Sequence, residues 1–177
     1  AGSHANARAA FPEEAELASD SARGRLLHYF ANHELLAMEL MALVLLRFPD
    51  APPAFRHGLA RTIGEEQSHM RLYLERMREL GVEFGELPLS RFFWDAMAQV
   101  RSPLDFVVQM SLTFEQANLD FSAHFRDAVA RAGDAVTAAL LDRVYREEIG
   151  HVKHGVVWFN RWRDAGDSDW EAYRKLL

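Results

Sequence analysis

The chain has 177 residues, 49% of them hydrophobic and 26% charged, with a net charge of −6, a pI near 5.7 and no cysteine. That length suits one domain with a full core, and the acidic balance offers no electrostatic footprint for nucleic acid or an anionic membrane. The missing cysteines exclude disulfides, thiolate zinc sites, cysteine-held iron–sulfur clusters and cysteine nucleophiles, so any metal must rely on oxygen and imidazole.

Taken in order, Ala1–His4 looks like the remnant of an expression tag, which removes His4 from the candidate ligands. Residues 5–19 show no sustained period and are expected to form an arm that frays or lies on the body. The domain proper is expected over 20–177. A capping group at Ser19, Asp20 or Ser21 opens a first helix that runs to about Phe48. Its apolar run, Leu35 to Leu46, is twelve residues long and broken by Glu39, short of a membrane span. No secretory signal precedes that run, and the expected location is cytoplasmic.

Pro49 to Pro53 breaks the helix, and a second one then runs to a C-capping glycine at Gly81. The short loop makes the two helices antiparallel neighbours. Residues 81–102 form a long crossover with a short helix around Phe92, Phe93 and Trp94. Ser102-Pro103 caps a third helix that continues to about Ala132, and Asp134 caps a fourth that runs to about Arg163. A last short helix fits 167–177. With no strand pattern, the expected fold is all-α: an antiparallel four-helix bundle of two helical hairpins with one long crossover, plus short extra helices.

The two hairpins repeat one pattern. Glu65-Glu66-Gln-Ser-His69 in the second helix returns as Glu147-Glu148-Ile-Gly-His151 in the fourth. Each Glu-x-x-His places an acid and an imidazole at i and i+3, on one helix face and within reach of one metal ion. Each is preceded by a helical acid, Glu34 lying 32 residues before Glu66 and Glu115 lying 33 before Glu148. The extra residue is expected in the second hairpin turn. Glu39 and Asp120 form another repeat-related pair, each five residues further on. Level separates the pairs: Glu34 and Glu66 stand equally far from the turn near Asp50, whereas Glu39 is displaced by roughly 7.5 Å of helix rise. Glu34, Glu66, His69, Glu115, Glu148 and His151 are therefore the expected metal ligands. Glu39 and Asp120 are expected as buried acids, or acids beside the ligands, that hold neighbouring helices.

Four carboxylates carry the charge that two divalent cations cancel. One imidazole per metal amid oxygen donors suits iron or manganese better than a structural zinc. This ligand set resembles that of the ferritin-like di-iron carboxylate superfamily. Within it, His33-Glu34-Leu35-Leu36-Ala37-Met38-Glu39 together with Phe92-Phe93-Trp94 resembles an uncharacterised bacterial ferritin-like family.

The resemblance implies two iron ions, Fe/Fe with Mn/Fe as the alternative, two bridging glutamates and reaction with dioxygen or peroxide. Glu65 and Glu147 resemble acids that accept the ring N–H of a ligand histidine, the other reading being two solvated carboxylates. His154, three residues beyond His151, is expected beside the ligands or at the surface, and His33 at a helix interface. His28, His57 and His124 have no partner spacing. Tyr29, Tyr145, Phe114, Phe121 and Trp158 are assigned to packing.

The function expected from the resemblance is an oxidoreductase that uses dioxygen to hydroxylate or dehydrogenate a small organic molecule. Lacking cysteines, it would draw its electrons from an external donor, a separate reductase, or from the substrate, and a monomer or dimer is expected over a cage. The competing expectation is an iron-handling ferroxidase or storage protein without an organic substrate. The acidic charge weighs against nucleic acid as a partner, and no membrane partner is expected.

Overall fold

The computed structural model describes residues 11–177, and every regular element among them is helical. The tag remnant and the first half of the expected arm lie outside the described residues. The rest of the arm lies on the body. Glu14–Ala18 forms a 3-10 turn that buries Leu17 completely, and the Phe11 ring stacks on Tyr29 and Phe125.

Helix α1 spans Asp20–Arg47, with Ser19 accepting the Ala22 N–H at its start. Helix α2 spans Pro53–Glu79, with its proline at a position whose missing N–H costs nothing. It ends where Gly81 takes φ 76°, so that the Gly81 and Val82 N–H groups close back onto the Arg78 and Met77 carbonyls. Near that end a Cβ on Gly24 of α1 would strike Val82, while at the other end Arg56 donates to the Leu45 and Phe48 carbonyls. The hairpin is thus antiparallel.

The crossover then follows α1 along its length. Gly85 meets His28, Ser90 meets Asn32, Trp94 of α3 (Phe92–Met97) meets Glu39, and Arg47 donates to the Ala98 and Val100 carbonyls. Helix α4, Pro103–Phe106, starts at the Ser102 cap and leads into α5, Glu115–Arg131, through Val107–Phe114. That connecting stretch is wound as a π-helix, where one uninterrupted α-helix was expected. Nothing in its apolar run of Val107, Val108 and Met110 marks the change in winding. The Thr113 hydroxyl also donates to the Val108 carbonyl, at 2.8 Å, within this stretch.

Gly133, at φ 90°, closes α5 as Gly81 closes α2, and Asp134 caps α6, Ala135–Trp162, by accepting the Thr137 N–H. The turn between α5 and α6 has three residues and that between α1 and α2 five, so the repeat's extra residue is absorbed by helix and not by the turn. Helix α7, Asp169–Leu176, closes the chain with a capping box of Ser168 and Glu171.

The hairpins face each other through α2 and α6, which are antiparallel: Gly58 meets His154, Glu65 meets His151, His69 meets Glu147 and Arg76 meets Thr137. Asp134 ties three helices at one end, taking Arg23 of α1 and Arg76 of α2 at 2.9 Å each while capping α6.

The apolar interior is split in two. One cluster gathers Leu36, Leu40, Leu59, Met110 and Trp158; the other gathers Leu26, Phe30, Tyr73, Phe125 and Leu141. Between these clusters each long helix turns buried polar side chains inward, Glu34 on α1, Glu66 and His69 on α2, Glu115 and Asn118 on α5, Glu148 and His151 on α6, so a charged layer lies across the middle. By length and composition alone α1 could cross a membrane, which the twelve-residue run did not suggest, but half of its apolar window is buried inside the domain.

Candidate metal centre

Six residues from four helical segments meet in that layer: Glu34 of α1, Glu66 and His69 of α2, Glu115 at the start of α5, and Glu148 and His151 of α6. None is more than 4% exposed. Burying an ionised carboxylate without a partner costs several kcal/mol, and four of them share this space.

The histidines organise the layer. His69 Nδ1 stands 3.0 Å from both Glu66 Oε2 and Glu148 Oε1, and His151 Nδ1 stands 2.9 Å from Glu148 Oε2 and 3.1 Å from Glu66 Oε1. Their outer nitrogens reach across to the opposite hairpin. His69 Nε2 lies 2.8 Å from Glu147 Oε2, and His151 Nε2 lies 2.9 Å from Glu65 Oε2. With Nε2–H donating to those acids, the Nδ1 lone pair is left facing inward, where a cation would take it. Glu65 and Glu147 are more than two-fifths exposed, and Arg61 and Arg143 hold them from outside.

The groups of the layer shift one another's pKa values. Burial alone would lower the histidine pKa values, but Glu148 and Glu66 outweigh it and raise His69 to about 10 and His151 to about 12. Burial pushes Glu34 well above the carboxylate range, with Glu66, Glu148 and Glu115 adding to the effect, and it also raises Glu115. Glu66 goes the other way: burial opposes ionisation, yet the two imidazoles prevail and lower it.

The donor atoms fall into two overlapping sets, Glu34, Glu66, His69 and Glu148, and Glu66, Glu115, Glu148 and His151, each within 4.8 Å of one another. Glu66 and Glu148 belong to both. All four oxygens of Glu34 and Glu115 lack a hydrogen-bond partner. Buried acceptors in that number, beside two imidazoles, fit divalent cations of the first transition row.

Other expected residues fall elsewhere. Glu39 is exposed and accepts the Trp94 indole N–H at 2.7 Å, so it pins the crossover and is not a buried acid. Asp120 is exposed as well. Both follow an inward acid by five residues, a rotation of about 140° that carries them off the inward face. His154 is half-buried at the α2–α6 seam, where its ring fills the space that Gly58 leaves open and stacks on Phe55. Two neighbours of the layer were not expected. His33 Nε2 approaches Glu115 Oε2 to 3.6 Å. Tyr73 is fully buried with an unpartnered hydroxyl; burial raises its pKa, and Glu34, Glu148 and Glu66 raise it further. Its place seven residues after Glu66 and four after His69 puts it on the same helix face, the one signal that marks it.

A family model described as a protein of unknown function, DUF455, matches residues 4–177. The chain belongs to the DUF455 family. An uncharacterised protein of Haemophilus influenzae is 29% identical to this DUF455 chain over 173 residues, an alignment covering 86% of the chain. The chain spans 59% of that relative's length. No solved structure matches this DUF455 member.

Proposed function

We propose that this chain is a ferritin-like four-helix-bundle protein that holds two iron ions and acts as an oxidoreductase, using dioxygen to hydroxylate or dehydrogenate a small organic molecule. The observation that carries the reading is the central layer: four buried carboxylates, with unpartnered oxygens on the two outermost, and two imidazoles whose inner nitrogens face them. Glu34 with His69 would hold one ion and Glu115 with His151 the other, with Glu66 and Glu148 between them. Bound iron supplies redox chemistry with dioxygen.

The chain's own residues supply the setting. Glu65 and Glu147 fix the ring orientation of the histidines from the opposite hairpin and make them stronger donors. The apolar clusters above and below exclude water, which strengthens each charge interaction inside. Electrons for repeated turnover would come from a separate reductase or from the substrate.

Protein purified from iron-supplemented cells should contain roughly two iron ions per chain, as the doubled Glu and Glu-x-x-His pattern provides. Its optical spectrum should change on anaerobic reduction, and the reduced protein should consume dioxygen. Absence of bound iron, with no uptake of ferrous ion by the metal-free protein, would refute the reading. Deposition of ferric mineral in a large oligomer, without oxidation of any organic molecule, would replace it with iron handling.

A further inference from the structure

The repeat is faithful at the layer itself and breaks one residue away. Glu65, Glu66 and His69 all have counterparts of their own type, but His33, the residue before Glu34, corresponds to Phe114, the residue before Glu115. His33 reaches from α1 toward α5 and places Nε2 3.6 Å from Glu115 Oε2. Phe114 has no polar atom with which to return the approach, so the imidazole that stands within ion-pair distance of Glu115 has no counterpart at the equivalent position beside Glu34, although no oxygen of either acid has a hydrogen-bond partner. Phe93 of the crossover stands against both rings, edge-on to His33 at 4.9 Å and stacked on Phe114 at 4.5 Å. The imidazole is thereby held between Phe93 and Glu115, with its side chain only 15% exposed.

We infer that His33 is a positioning residue that makes the two metal positions unequal, so that a divalent ion binds more tightly at Glu115 and His151 than at Glu34 and His69. This rests on the two-ion reading above. The 3.6 Å approach is an ion-pair contact that a small movement of either side chain would close into a hydrogen bond. A carboxylate so restrained loses less freedom when it meets an ion, and outer partners are worth about 10–100-fold in metal affinity. Beside Glu34 the equivalent position is Phe114, which offers no imidazole, and the ion itself must orient the carboxylate. The position it serves is the one that empties first.

The test is a titration of the metal-free protein with cobalt(II), followed by visible absorbance and calorimetry. The unmodified chain should bind in two steps separated by about 10–100-fold in affinity. Glu115→Gln should delete the tighter step and Glu34→Gln the weaker one. His33→Phe puts phenylalanine in both halves and should merge the steps, while His33→Gln, which keeps a donor, should restore their separation. A single step in the unmodified chain, an unchanged separation in His33→Phe, or loss of the tighter step in Glu34→Gln would overturn the inference while leaving the metal centre standing. Failure of the unmodified chain to bind cobalt(II) at all would overturn both.

Discussion

Helix α1 presents polar residues to two different surroundings. Toward the crossover, His28 accepts the Gly85 N–H, Asn32 accepts the Ser90 N–H, Glu39 accepts the Trp94 indole N–H and Arg47 donates to two carbonyls. Toward the centre, Glu34 is completely buried and neither of its oxygens has a partner. Although Asn32 Nδ2 has none, each seam side chain finds at least one partner within the chain, so together they fasten the crossover. The central acid does not, and its environment calls for something from outside. Burial alone does not separate the two kinds of residue, since His28 is nearly as buried as His69. What separates them is that Glu34 has no hydrogen-bond partner on either oxygen, whereas every seam side chain has at least one.

The largest expected effect lies in the layer. His69→Ala combined with His151→Ala should reduce bound metal from roughly two ions per chain to none, because each position would lose its only nitrogen donor. Metal analysis after dialysis is the measurement, and two tightly held ions in the double variant would contradict the ligand assignment.

A second experiment reverses the usual sign of a core mutation. Glu34→Leu should stabilise the metal-free protein by about 1–3 kcal/mol, because a well-packed apolar side chain replaces a buried acid without partners. The same variant should gain less from added metal than the unmodified chain. Denaturant unfolding with and without metal reads both effects. A less stable metal-free variant would mean that Glu34 is a structural acid.

The seam should show itself through pH. Burial lowers the pKa of His28 from 6.5, with Glu86 opposing, so the folded chain binds fewer protons there than the unfolded chain. This contribution is complete above about pH 6.5 and is lost as pH falls through the folded value. His69 and His151 are shifted upward, so their contribution is complete below about pH 6.5, declines as pH rises and is gone once pH passes about 10 and 12. Between pH 7 and 5 the unmodified chain should therefore lose stability relative to His28→Gln, whose amide oxygen can still accept the Gly85 N–H. Parallel melting-temperature profiles would remove His28 from the account. The smallest effect is expected from Glu39→Ala, under about 1 kcal/mol for one exposed hydrogen bond, with bound metal unchanged. Loss of metal in that variant would exchange the roles of Glu34 and Glu39.

The helices were legible because their ends carry local chemistry: Ser19, Ser102 and Asp134 cap as their residue types require, and Gly81 and Gly133 stop helices where positive φ is needed. The meeting of Glu34, Glu66, His69, Glu115, Glu148 and His151 at one level was legible too, since two copies of one spacing on antiparallel helices bring equal distances from a turn together. Rotation about a helix axis was harder to read. Around Glu39 the neighbours are apolar enough to suggest burial, yet the crossover covers α1 with a loop and a short helix whose rim leaves Glu39 in solvent. His33 was assigned to a helix interface, but its approach to Glu115 depends on how closely α1 and α5 lie, which no spacing within either helix records. The π winding of Val107–Phe114 has the same origin: a backbone choice made by the packed chain, with no residue type that announces it.

The crossed contacts His69–Glu147 and His151–Glu65 form a reciprocal pair, in which each hairpin offers its partner the same acid and the same imidazole. Reciprocity of that kind is the signature of an isologous interface, the self-complementary surface by which two identical subunits pair about a two-fold axis. A single hairpin bearing Glu65, Glu66 and His69 would make both contacts with a copy of itself. In this chain the crossover along α1 joins the two halves covalently, so His33 and Phe114 can differ, whereas in a dimer of identical hairpins any change in one half would appear in the other.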